Sequence, residues 1–208
     1  VLDLAKIEAG NFELLPVAWD SVDLLQELAG MFGGRARKLG IELRIEPLPG
    51  LPRRLSGDAR RLHQILANLV DNAIKYTEAG TVTVRADYHD GNLELAVTDT
   101  GIGIPPAQQE QIFEPFRQVG DSVHAIQGTG LGLAITRQLV QAMGGTISVE
   151  SKPGEGSCFR VSLPAKTVGS PARTMAIPSP AASTVGYRRT TGQGPLHILV
   201  VDDEHDNR

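Results

Sequence analysis

The chain has 208 residues, 41% hydrophobic and 21% charged, with a net charge of −4. That is a globular balance with room for one full domain and some additional segments. Its basic residues are scattered rather than gathered into a face, which argues against a nucleic-acid partner. A single cysteine, Cys158, excludes a disulfide within the chain, a usage that fits a reducing compartment. No apolar run approaches the roughly 20 residues of a membrane span, and no signal peptide is recognisable.

In chain order, residues 1–9 read as the last turns of a helix closed by Gly10. A strand is predicted over 12–19, with Pro16 placing it at an edge. Val22, Leu25, Leu28, Ala29, Phe32 and Leu39 recur at helical spacing over 20–39, where Gly33-Gly34 weakens the helix locally. Residues 41–45 alternate as a strand. The next helix has Asp58 as N-cap, runs to about Thr77, and carries Leu62, Ile65, Leu66, Leu69 and Ala73 as its apolar stripe. Two strands follow, 81–87 and 92–99, joined by a turn around Asp90-Gly91-Asn92. The stretch 100–129 is rich in glycine and proline, with one short helix near 107–113. A helix over 130–143 ends at Gly144-Gly145, and strands 146–151 and 157–163 flank the turn from Lys152 to Gly156. From 166 to 195 the composition shifts to Ser, Thr, Pro, Ala and Gly, which cannot bury enough apolar surface to offset its ordering entropy, and predicts a flexible linker. Residues 196–208 open a new strand-like element. The first and last phrases both read as cuts through something larger. This order predicts an α/β two-layer sandwich: antiparallel strand pairs covered on one face by three helices.

Three features carry chemistry. On the helix 58–77, Asn68, Asn72 and Lys75 fall within about a 60° arc beside the leucine stripe. Two amides and an ammonium there form a polar rim; amide oxygens suit Mg²⁺ when phosphates supply the charge, and lysine holds phosphate as a point charge. On the strand 92–99, Leu93, Leu95, Val97 and Asp99 share parity, so an apolar face ends in a carboxylate. Burying that charge is costly unless a group donates to it, as an exocyclic amino group would. Gly101 and Gly103 then let the backbone approach a flat ligand. Finally, Gly128-Thr129-Gly130-Leu131-Gly132 feeds a helix N-terminus, whose N–H groups suit phosphate. Taken singly, these also read as a solvated helix face, a glycine turn and a hinge.

Together and in this order they become specific. The run from Asn68 to Thr77 resembles the N box of sensor histidine kinases. The run from Asp99 to Pro105 resembles their G1 box, Phe113 to Gln118 the F box, and Gly128 to Leu133 the G2 box. The resemblance implies the Bergerat fold of that superfamily, with a mixed, mainly antiparallel sheet and a mobile ATP lid over 106–127, anchored by Phe113 and Phe116. It implies ATP and Mg²⁺ as ligands. Contacts would come from Asn68, Asn72, Lys75, Tyr76, Asp99, Gly101, Gly103, Ile104, Gly128, Thr129, Gly130, Leu131 and Gly132, with Asn72 ligating the metal.

The flanks extend the resemblance. Residues 1–10 are similar to the end of a dimerisation and histidine phosphotransfer helix, 11–165 would be the catalytic domain, and 196–208 resemble the start of a receiver domain after the linker 166–195. This implies a hybrid histidine kinase. Its partners would be the upstream dimerisation domain and a receiver domain in cis or in trans. The parent would be a homodimer, the fragment a monomer without direct membrane contact, and the location cytoplasmic, whether or not the parent is anchored in the membrane.

None of the five histidines (His63, His89, His124, His197 and His205) stands in the phosphoacceptor setting, so the acceptor is expected upstream and no catalytic residue is assigned within the chain. Two rivals remain open. One is an ATPase of the gyrase, MutL and heat-shock chaperone class, which carries a general-base Glu at the position of Asn68. The other is a nucleotide-sensing module that has lost catalysis.

Overall fold

A computed structural model of the chain describes residues 13–117 and 130–169. The expected helix end at 1–10, most of the linker, the receiver-like segment 196–208, and Gly128 and Thr129 lie outside the described residues.

The first helix, α1 (Ser21–Lys38), starts where the Asp20 carboxylate accepts from the N–H groups of Val22 and Asp23, and ends with Arg35, Arg37 and Lys38 against its negative dipole end. It runs unbroken through Gly33-Gly34, because Leu28, Phe32 and Ala36 are buried on the opposite face and packing outweighs the propensity loss of two glycines. The second helix, α2 (Ala59–Lys75), is capped by Asp58, which accepts from Arg61 N–H at 3.1 Å. The expected stripe is buried, and Val70 and Ile74 join it. The third, α3 (Gly132–Ala142), begins two residues later than its sequence suggests.

The described residues also form eight strands: β1 (Val17–Asp20), β2 (Ile41–Pro47), β3 (Arg54–Gly57), β4 (Gly80–His89), β5 (Asn92–Asp99), β6 (Thr146–Lys152), β7 (Gly156–Pro164) and β8 (Lys166–Thr167). The main sheet has the order β2-β4-β5-β7-β6. Among the described strands only β2 and β4 run parallel; their connection contains α2, as a parallel crossover requires. The two hairpins are antiparallel, as the short turns predict. Asp90 and Gly91 close the first with φ of +52° and +82°, the pair of positive angles that matches strand twist in a two-residue turn. All three helices line one face of the sheet, and α2 packs against both α1 and α3. The core lies between these layers, from Leu24 and Phe32 through Leu66 and Ile74 to Val84, Val97 and Val161. This is the two-layer sandwich.

Some details depart from the expectations. The strand predicted over 12–19 is confined to Val17–Asp20, with Pro16 just outside it. It belongs to a second, three-stranded sheet, β1-β3-β8. Neither β3 nor β8 is legible beforehand: β3 has one apolar residue, Leu55, and β8 falls in linker-like composition. The backbone ladder, with Leu55 paired to Thr167, thus takes in the first two residues of the expected linker, 166 and 167. Cys158 is half-buried, with the Thr98 hydroxyl 3.4 Å from its sulfur. No described helix is long and apolar enough to cross a membrane.

Leu66 is fully buried on α2. Leu66→Ala is expected to lower the unfolding free energy by roughly 2–5 kcal/mol in a denaturant titration. Met31→Ala, on the exposed side of α1, should shift it by no more than about 0.5 kcal/mol.

Candidate functional site

Asp99 ends β5 in line with Leu93, Leu95 and Val97, and all four are buried. Only 6% of Asp99 remains exposed. Its Oδ1 accepts from Gly101 N–H at 2.8 Å and from Ser157 N–H at 3.3 Å. Its Oδ2 has no partner among the described residues. Burial raises the carboxyl above its ordinary range, and the two backbone donors pull it partly back. The carboxylate is therefore half satisfied by the protein, with one oxygen left to accept from another group.

The loop after Asp99 is held against two elements. Ile102 N–H donates to Tyr76 O at 3.1 Å, so the loop leans on the C-terminal end of α2. A Cβ at Gly101 would overlap the same Tyr76 carbonyl. On the other side Gly154 N–H donates to Ile102 O at 2.7 Å. Gly103, at φ +69°, sits so near the Lys152 carbonyl that no side chain fits there. Both glycines are required by close approach, though the close neighbours in the structure are backbone carbonyls. Ile104 is half-buried beside the core.

The α2 residues occupy one stripe. At its N-terminal end Asn68 donates from Nδ2 to Thr136 Oγ1 of α3 at 2.8 Å, and a Cβ at Gly132 would overlap the Asn68 amide. At the other end, the Tyr76 carbonyl meets the loop after Asp99. Asn72 lies one helical turn from each anchor, half-buried like Asn68, Lys75 and Tyr76. The Lys75 ammonium stands 5.2 Å from the Tyr76 ring centroid. One helix face thus runs from the start of α3 to the Asp99 loop, with Asn72 and Lys75 between them. No side chain caps the N-terminus of α3 among the described residues, which leaves N–H groups of its first turn for an anion. Leu131 is buried at that terminus, and Gly130, at φ +68°, accepts from Phe116 N–H at 3.0 Å.

Phe113 anchors its segment as expected: it is buried, edge-on to Phe159 with centroids 6.4 Å apart, and the Arg137 guanidinium lies 5.2 Å from its ring. Phe116 does not anchor; it is 73% exposed and takes φ +64°. The short helix expected near 107–113 is two 3₁₀ turns, Pro106–Gln108 and Gln111–Phe113. The sequence reading missed Ser157, whose only advance signal is its place at the start of a strand next to a glycine turn. A separate groove of about 460 Å³, lined by Trp19, Asp20, Asp23, Glu27, Arg60 and His63 among others, contains none of the expected site residues. His63 is thus a wall residue of that groove.

The family model for histidine kinase-, DNA gyrase B- and HSP90-like ATPases matches residues 57–167. The virulence sensor protein BvgS of Bordetella bronchiseptica is 42% identical over 214 residues, which cover 100% of this chain and 17% of BvgS. The aerobic respiration control sensor protein ArcB of Escherichia coli is 39% identical over 171 residues, covering 81% of this chain and 22% of ArcB. Among solved structures, full-length ShkA in complex with AMPPNP superposes with a TM-score of 0.74 at 37% identity, covering 83% of this chain and 36% of ShkA. A mycobacterial sensor histidine kinase, MprB, superposes at 0.60 with 31% identity, covering 75% of this chain and 100% of that one. The chain belongs to the histidine kinase-, DNA gyrase B- and HSP90-like ATPase family, as an ATP-binding catalytic domain of the protein-histidine kinase class. It spans about a fifth or less of the curated sensor proteins BvgS and ArcB.

Because burial raises the Asp99 carboxyl above its ordinary 3.8, the folded chain holds that proton more tightly than the unfolded chain. Its stability therefore falls as pH rises from the ordinary value through the raised one. Asp99→Asn is expected to raise the melting temperature of the ligand-free chain at pH 7, with the gain shrinking as pH falls through the raised value toward 3.8 and lost below it. Thermal denaturation of both forms across pH checks this.

Proposed function

We propose that this chain is the catalytic part of a hybrid sensor histidine kinase. In this reading it holds Mg²⁺·ATP and presents the γ-phosphate to a histidine side chain upstream of Val1. The imidazole nitrogen forms a bond to the γ-phosphorus, the bond to the β,γ-bridging oxygen breaks, and ADP departs. The phosphoryl group then passes to an aspartate of a receiver domain, in cis or in trans. Residues 1–10 would end the dimerisation helix of a homodimeric parent, 11–165 would form the catalytic domain, and 166–195 would link it to a receiver domain beginning at 196–208.

The observation that carries this reading is the Oδ2 of the largely buried Asp99, which no described residue partners, at the end of an apolar strand face. Adenine carries an amino group that could donate to it; guanine carries a carbonyl at the same place. Gly101 and Gly103 would keep the loop low enough for the base, with Ile104 and Tyr76 against it. Asn72 would offer its amide oxygen to the metal, and Asn68, already fixed by Thr136, would steady the same region. Lys75 and the segment Gly128, Thr129, Gly130, Leu131 and Gly132 would face the phosphates. Bound Mg²⁺ would neutralise charge on the phosphate oxygens. Asn68 is an amide and cannot act as a general base on water, which favours transfer to a side chain over hydrolysis. A cytoplasmic location follows from the need for ATP.

Calorimetric titration of the 208-residue chain tests the site. ATP should bind in a Mg²⁺-dependent manner. Asp99→Asn should weaken it roughly 10- to 100-fold, the worth of a hydrogen bond to a charged group. Asn72→Ala should remove most of the Mg²⁺ dependence. Unaltered affinity in the Asp99 variant would remove that residue from the site. A chain extended upstream should acquire an acid-labile label on histidine from γ-labelled ATP; binding without labelling would leave a nucleotide-sensing module instead.

A further inference from the structure

Asp99, Ser157 and Ser151 form one row across the sheet. Asp99 pairs with Ser157 across β5 and β7, and Ser157 pairs with Ser151 across β7 and β6. Paired residues share a face, so all three side chains stand on the helix-bearing side, continuing the line from buried Val82 of β4.

The Ser151 hydroxyl lies 2.8 Å from Gly156 O, 2.8 Å from Ile104 N and 3.0 Å from Ser157 Oγ. A hydroxyl has one proton and two lone pairs. The Gly156 carbonyl can only accept, so it takes that proton. The Ile104 N–H can only donate, so it fills one lone pair. The remaining lone pair is filled by the Ser157 hydroxyl proton. Ser157 Oγ is then left with lone pairs alone, one residue along the row from the unpartnered Oδ2 of Asp99. The Ile104 peptide is held from its other side too: the Gln109 amide donates to Ile104 O at 3.1 Å and to Ser151 O at 2.8 Å.

We infer that Ser151 is a positioning residue for base selection: its hydroxyl turns Ser157 into an acceptor beside Asp99 and fixes the Asp99–Ile104 loop on β6. Ser151 acts through Ser157 and Ile104 rather than by touching the ligand. The result is a pair of acceptors, which favours a base edge that donates (the amino group of adenine) over one that accepts (the carbonyl of guanine). The inference rests on the adenine reading of Asp99.

The test is the ratio of ATP to GTP dissociation constants, measured by calorimetry with Mg²⁺ on the 208-residue chain. Ser151→Ala is expected to reduce the preference for ATP on the order of tenfold, the worth of about one lost hydrogen bond. Ser151→Thr, which keeps the hydroxyl, is expected to retain it. A general loosening of the hairpin would weaken ATP and GTP together, and an unchanged ratio in Ser151→Ala would overturn the inference. So would an equal loss in Ser151→Thr. Should Ser151→Ala fail to fold, Ser157→Ala reads the same pair of acceptors while leaving the Gly156 and Ile104 bonds in place; it is expected to lose the preference, and an unchanged ratio there also overturns the inference. Asp99→Asn separates the two levels. If it abolishes the preference while the serine variants keep it, the adenine site stands and the role of Ser151 falls. If it too keeps the preference, the adenine reading itself falls.

Discussion

The structure turns on one carboxylate placed where an apolar strand face ends. Asp99 is buried among core residues, yet only one of its oxygens is satisfied by the protein, through two backbone N–H groups. Holding a largely desolvated carboxylate with one oxygen unpaired by the protein is costly, and the fold tolerates it because the surrounding sandwich supplies stability elsewhere. A ligand that donates to this oxygen recovers the cost on binding, whereas an apolar residue at the same position would stabilise the fold and recognise nothing. That trade of stability for recognition is common at functional sites.

A second constraint is α2, which serves as core element and site wall at once. Its leucine face closes the core between α1, α3 and the sheet. The adjacent stripe is tied at Asn68 to Thr136 of α3 and at the Tyr76 carbonyl to the loop after Asp99. Any group reaching from the Asp99 loop toward the start of α3 must pass Asn72 and Lys75. Phe113, edge-on to Phe159, pins the beginning of the next segment into the same core. The backbone bond between Phe116 and Gly130 draws the two ends of the intervening segment together.

Much of this was legible in the sequence, for identifiable reasons. The parity of Leu93, Leu95, Val97 and Asp99 and the arc of Asn68, Asn72 and Lys75 are consequences of strand and helix periodicity alone. Asp58 and the Asp90-Gly91 turn announce themselves through local chemistry. The small sheet β1-β3-β8 was not legible, because strands of two and four residues carry too little alternation and are held by partners distant in sequence, as Leu55 is by Thr167. Phe116 misled because the resemblance assigns an anchor role by motif alone, while the backbone turns this side chain outward at φ +64°. The serine row was invisible for a deeper reason: Ser151 and Ser157 acquire meaning only through cross-strand register with Asp99, which no local pattern encodes. The roles of the glycines as close-approach points could be guessed from their number, but not that their neighbours are the carbonyls of Tyr76 and Lys152.

The most direct measurement of the central claim is a double-mutant cycle with the ligand as one partner. It compares ATP with the purine riboside triphosphate that lacks the 6-amino group, on the wild-type chain and on Asp99→Asn, by calorimetry with Mg²⁺. A donor–acceptor bond between that amino group and the Asp99 carboxylate requires a clear preference for ATP in the wild type that disappears in the variant. An equal preference in both proteins would show that the amino group and Asp99 do not meet, and would contradict the account.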